Sequence, residues 1–171
     1  MMAKAKNNKI VGILGILFVF FFIGLSISVS AQYNSQDQEI GRDGNWIAYA
    51  CGVVWDTKAG LEWIAGPDED TNWDEAKEWV DNLNVAGGGW RLPKIDELKT
   101  LYEKGRGTCN MTPLLGIASF GTTSFIVWSG EKDSLEVYMS AWYFGSYYGS
   151  RYWLTREFSD FTRVIAVRFR K

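Results

Sequence analysis

Hydrophobic and polar positions alternate differently in successive parts of the chain. Residues 10–25 form an unbroken apolar run. Residues 47–55 and 61–64 are rich in β-branched and aromatic side chains and read as two strands. Asp56-Thr57-Lys58-Ala59-Gly60 between them has turn chemistry. From Trp73 the period becomes helical. Trp73, Ala76, Trp79, Val80 and Leu83 share one face, and Asp74, Glu75, Lys77, Glu78 and Asp81 lie largely opposite. Asn72, three residues before Glu75, is a natural N-cap with its reciprocal partner. Gly87-Gly88-Gly89 ends this helix, because glycine reaches positive φ cheaply. Pro93 then holds Leu92 extended, so a second helix begins only after it. That helix turns Leu98, Leu101 and Tyr102 inward and ends near Gly105. Trp90 and Leu92 alternate with Arg91, which predicts a buried joint where the two helices meet.

Periodicity fades over 107–123, and strands resume at 124–129, 137–144 and 163–169. Strands, two helices in mid-chain, then strands again make an α+β fold rather than a doubly wound one. Of the 27 aromatic residues, nine are tryptophan, ample material for a core. The predicted core is Trp55, Trp63, Trp73, Trp90, Leu92, Leu98 and Trp128.

The apolar run changes the reading of the first 31 residues. Lys4, Lys6 and Lys9 precede it, and Val29-Ser30-Ala31 follows. This is the pattern of a signal peptide cut before Gln32, with an uncleaved anchor as the competing reading. The predicted cut has no cysteine, so a lipid anchor is not expected. Residues 32–45 read as a flexible polar lead-in, and 46–171 as the folded domain. The leader holds three lysines and no acids, which leaves fifteen basic against twenty acidic side chains, a net of −5. An exported, mildly acidic domain points away from nucleic acid and from stable membrane insertion after leader removal. The expected location is periplasmic or secreted.

Cys51 and Cys109 are the only cysteines. In an exported chain they are expected to form one disulfide, with two buried free thiols as the alternative. Closing so long a loop stabilises by roughly 4 kcal/mol in the chain-entropy model. The chain has no histidine, which removes Ser-His-Asp and Cys-His catalysis and imidazole metal ligands. No enzyme activity and no cofactor are expected. Asp68, Glu69, Asp70, Asn72 and Asp74 make an acid-rich loop. It fails as a helix-loop-helix calcium loop, since Trp73 takes the glycine position and Trp79 the closing glutamate. A solvated loop leading into a helix N-terminus is the expected role, and no metal site is assigned.

The tract 142–153 mixes Trp, Tyr, Gly and Ser with one arginine, the composition of loops that recognise ligands through rigid aromatic faces. Tyr143, Tyr147, Tyr148, Arg151, Tyr152, Trp153 and Arg156 are the candidate ligand-binding residues. Aromatic rings stack on sugars, and arginines take a sulfate or carboxylate by two-point hydrogen bonds. A hairpin whose aromatics fill the sheet is the competing reading. The arginines near the C-terminus are expected on a solvated strand face.

Several segments together resemble a known family. They are Val54-Trp55-Asp56-Thr57 running on to Gly60-Leu61-Glu62-Trp63, then Trp73-Asp74-Glu75-Ala76, then Gly89-Trp90-Arg91-Leu92-Pro93 with Glu97, Leu98 and Leu101. Val127-Trp128-Ser129 and Ala166-Val167-Arg168-Phe169-Arg170 complete the set. Their order and spacing resemble the C-terminal domain family of the Legionella collagen-like adhesin, over about 46–171. The resemblance implies a C-type-lectin-like fold, two helices packed on a small twisted antiparallel sheet. It also implies a non-catalytic module that binds a glycan, sulfated or acidic, or a protein surface at the cell envelope. An envelope structural or assembly domain is the alternative, and a homo-oligomer is open. Lys94 stands where the family has a helix-capping threonine, and Phe169 replaces its closing cysteine. No collagen-like repeat precedes the domain, so trimerisation does not carry over.

Overall fold

The computed structural model describes residues 38–106, 110–115, 126–132 and 139–170. All of them fall in one compact unit, Asn34–Lys171. The leader 1–31 lies outside the described residues. In chain order the elements are β1 (Glu39–Asp43), β2 (Trp46–Tyr49), β3 (Val54–Asp56), β4 (Leu61–Ala65), α1 (Trp73–Asp81) and α2 (Ile95–Leu101). There follow β5 (Ile126–Lys132), β6 (Ser140–Gly145), β7 (Ser150–Thr155), β8 (Thr162–Arg163) and β9 (Ile165–Phe169). The fold is mixed α+β, with two sheets where the sequence predicted one. Their strand orders are β1-β2-β3-β4-β9 and β7-β6-β5-β8. The described pairings are antiparallel except β5 with β8, which is parallel.

Side-chain alternation explains how two helices fit on so little sheet. On β4, Leu61 and Trp63 face one apolar cluster, and Ile64 faces another. On β9, Ile165 and Val167 join the first, and Ala166 joins the second. The same split recurs in the second sheet, where Val127 and Phe144 go one way and Trp128 and Ala141 the other. Successive strand residues point to opposite faces, so β4, β9, β5 and β6 bury apolar side chains on both faces. Ile95, Leu98 and Leu101 of α2 enter the first cluster, and Trp73, Ala76 and Val80 of α1 enter the second.

This corrects the predicted helix–helix joint. Trp90 and Leu92 are buried, at 7% and 5% exposure, but they belong to the α1 cluster alone. What they join is a helix to a sheet. Arg91 exchanges backbone hydrogen bonds with Val167 in both directions, at 3.1 and 2.9 Å, and so lays the segment along β9. The Trp90 indole N–H donates to the Val85 carbonyl at 2.8 Å.

Helix starts follow the sequence closely. Asn72 Oδ1 accepts from the Glu75 N–H at 3.0 Å, and the Glu75 carboxylate accepts from the Asn72 N–H at 2.9 Å. At α2 half of such a box survives. Glu97 accepts from the Lys94 N–H at 2.8 Å, although a lysine side chain offers no acceptor in return. Three further expectations change. The strand predicted over 47–55 is two, because the chain reverses through Gly52 at φ +86°. The lead-in 32–45 contains β1, which pairs with β2 across a bulge. Trp55 is half-buried rather than core, with Arg170 4.1 Å from the centre of its ring. Trp63, Trp73, Leu98 and Trp128 are buried as expected.

Candidate functional site

The hairpin of β6 and β7 carries most of the aromatic tract. Its register pairs Trp142 with Trp153, Tyr143 with Tyr152, and Phe144 with Arg151. Directly paired residues share a face, so the predicted ligand-binding residues are divided between two faces. On one side the Arg151 guanidinium lies 4.7 Å from the centre of the Trp142 ring, beside Trp153. On the other, Tyr143 and Tyr152 stack with centroids 5.6 Å apart. Burial, and then the charge of Tyr152, push the Tyr143 phenol above its ordinary value.

The turn between the strands forms a third group. Gly149 donates its N–H to the Gly145 carbonyl at 2.9 Å and has φ +65°. A Cβ on Gly149 would lie 2.7 Å from the Tyr102 ring, so only glycine lets the turn rest on Tyr102. Tyr102 in turn meets Phe144 edge-on at 6.1 Å, which ties the turn to the core. Asn110 steadies the same place from the other side, donating to the Ser146 carbonyl at 3.3 Å and accepting from the Gly105 N–H at 2.8 Å. Tyr147 and Tyr148, 56% and 69% exposed, stand edge-to-face with centroids 4.8 Å apart. With Tyr102, Lys104, Gly105 and Asn110 they line an open cleft of about 500 Å³.

Sequence reasoning missed Tyr102, Lys104 and Asn110. They come from the end of α2 and the following loop, far along the chain from the turn, and no spacing pattern links the two segments. Arg156, by contrast, stands apart from the other candidates. It is half-buried, 5.3 Å from the Trp73 ring centre and 3.6 Å from Asp74. Its carbonyl accepts the Trp73 N–H at 3.0 Å. Arg156 is engaged at the start of α1.

The C-terminal arginines are corrected more sharply. Arg163 and Arg168 are buried, not solvated. Arg163 pairs with Asp68 at 2.8 Å and Asp70 at 2.6 Å, which gives the acid-rich loop its role as counter-charge. Burial works against the Arg163 charge, but these hydrogen bonds prevail and its pKa rises. Cys51 is half-buried, and Cys109 lies outside the described residues, so the expected pair falls partly beyond them.

A family model, the Lcl C-terminal domain, matches residues 52–168. The chain belongs to the Lcl C-terminal domain family. No curated protein and no solved structure compared with the chain matches it. The match takes in both helices, the Trp90 segment and the whole β6–β7 hairpin. Among the described residues no helix is long and apolar enough to cross a membrane.

Proposed function

We propose that this Lcl C-terminal domain is an exported, non-catalytic binding module that recognises a glycan through the Tyr147–Tyr148 turn and its cleft. The observation that carries the reading is the pair of exposed tyrosines held on a rigid support. Tyr102 and Gly149 fix the backbone beneath them, so little ordering entropy is lost on binding. Perpendicular rings offer two apolar faces for sugar rings, and Asn110 and Lys104 bring hydrogen bonding and a positive charge to the cleft wall. An acidic or sulfated sugar fits that charge. Family membership supports an adhesin-like role at the envelope or outside it. The leader-like N-terminus supports export, and an oxidising compartment is where Cys51 and Cys109 would pair.

A glycan array read at low and high salt tests the proposal. Binding to acidic glycans that falls steeply with salt, and is lost in Tyr147→Ala/Tyr148→Ala, is the expected result. An array on which the variant and the parent chain behave alike overturns it.

A further inference from the structure

Among the described residues the two sheets have four edges, and three of them are closed. At β1, the side chains of Glu39, Arg42 and Asp43 and a bulge between Glu39 and Gly41 disrupt further pairing. At β9, Arg91 already occupies the outer side through its two bonds to Val167. At β8 the strand is two residues long, and the Thr162 hydroxyl is engaged with the Thr71 carbonyl at 2.6 Å. The fourth edge, β7, carries a single charge, Arg151, and is otherwise without these devices. It is six residues long, Ser150-Arg151-Tyr152-Trp153-Leu154-Thr155, without proline, lysine or bulge. Among the described residues, none pairs with its outer side. Tyr152 and Trp153 are 44% and 60% exposed. An open edge carrying large apolar side chains is a template for another strand.

We infer that β7 is a self-association edge, whose occupant is β7 of a second copy of this chain. The two strands run antiparallel about a two-fold axis centred on Tyr152. A two-fold axis perpendicular to the sheet keeps each face on its own side, so only residues of the same face can stand opposite each other. Centred on Tyr152, the register sets Tyr152 against its own symmetry mate, Arg151 against Trp153 of the other copy, and Ser150 against Leu154. The one charge on the strand therefore meets an indole instead of another charge, a pairing Arg151 already makes with Trp142 within its own chain. Tyr152 meets a ring already stacked on Tyr143, which extends that stack across the axis. The two four-stranded sheets become one continuous sheet. The Tyr147–Tyr148 turns lie outside the paired segment and remain open, so this inference is independent of the glycan reading.

Site-directed crosslinking tests the register. Opposed residues in an antiparallel pair have Cα atoms about 4.5–5.5 Å apart, within the span of a disulfide. Full-length chain carrying Tyr152→Cys is expected to give a covalent dimer whose 152–152 linkage is found by peptide mass spectrometry. Ser150→Cys is expected to give none, because its partner is position 154. Sedimentation velocity of Trp153→Lys, which sets a lysine against Arg151, supplies the second arm. Two symmetry-related like-charge pairs weaken the dimer on the order of tenfold. Its far-UV circular dichroism is expected to match the parent, because Trp153 is 60% exposed in the single chain. A parent chain that is monomeric across a dilution series overturns the inference. So does a Ser150→Cys chain that crosslinks while Tyr152→Cys does not.

Discussion

The Arg168 guanidinium lies 4.4 Å from the centre of the Trp90 ring, and its Nε donates to the Glu62 carboxylate at 2.8 Å. Its Nη2 also lies 2.8 Å from Glu62, and its Nη1 donates to the carbonyls of Ala86 at 2.9 Å and Gly88 at 2.5 Å. Both charges are buried. Helix α1 ends at Asp81 with Asn82 as its C-cap, not at the glycines as the sequence predicts. One side chain thus holds the glycine-rich segment that follows, the Trp90 indole and strand β4 in a single arrangement.

Among the described residues, removing that guanidinium leaves Glu62 with only the partly exposed Arg170 as counter-charge, at 3.2 Å. Arg168→Leu is expected to destabilise the fold by about 3–5 kcal/mol in urea denaturation. Glu62→Leu/Arg168→Leu removes both charges and is expected to recover much of that loss. A double variant as unstable as the single one would show that the contacts to Ala86 and Gly88, rather than the ion pair, dominate.

Gly149 is where the proposed site meets the core. Gly149→Ala places a methyl group against Tyr102 and holds alanine at φ +65°. The expected cost is about 1–3 kcal/mol, with reduced glycan binding because the tyrosine ring beneath the turn must move. Thermal melts and binding isotherms of Gly149→Ala and of Gly149→Ala/Tyr102→Ala separate the two causes. The second substitution is expected to relieve the clash but leave the φ strain.

Acid stability has an identifiable contributor in Glu97. Burial alone would raise its pKa, but hydrogen bonds from Arg91, at 2.7 and 2.5 Å, and from the Lys94 N–H bring it below the ordinary value. A depressed carboxylate stabilises the fold above its unfolded pKa, about 4.3 for glutamate, and the contribution disappears as pH falls through the lower folded value. The urea midpoint is therefore expected to drop on acidification below about pH 4.3. Glu97→Gln is expected to be less stable at neutral pH and to lose less on acidification. Parallel pH profiles for the two chains would remove Glu97 from the account.

The acid-rich loop predicts a negative result of a specific kind. Asp68 and Asp70 already neutralise buried Arg163. Calcium or a chelator is expected to leave the thermal midpoint unchanged. A calcium-loaded loop would instead raise the midpoint as the ion concentration rose above its dissociation constant.

What the sequence revealed, and what it concealed, follows from range. The N-cap of α1 is written in Asn72 and Glu75, three residues apart, and both bonds formed as expected. Trp63, Trp73, Trp90 and Trp128 were legible as core because large apolar residues at regular spacing have few alternatives. Arg168 looks solvated from the sequence because its partner Glu62 is 106 residues away. Without that partner, an arginine alternating with valines looks like a solvated one. The division of the aromatic tract was hidden for a different reason. Composition groups Tyr143, Arg151, Tyr152 and Trp153 as ligand-binding candidates, but alternation along β7 sets Tyr152 on one face and Arg151 and Trp153 on the other, and the register against β6 sets Tyr143 beside Tyr152.

The most direct test of the binding account is a heteronuclear NMR titration of the domain with acidic and uncharged oligosaccharides. The account predicts that amide shifts on adding the acidic sugar concentrate at Tyr102, Lys104, Asn110, Tyr147 and Tyr148, the residues around the cleft. Shifts confined to other parts of the domain, or none with either sugar, would contradict it.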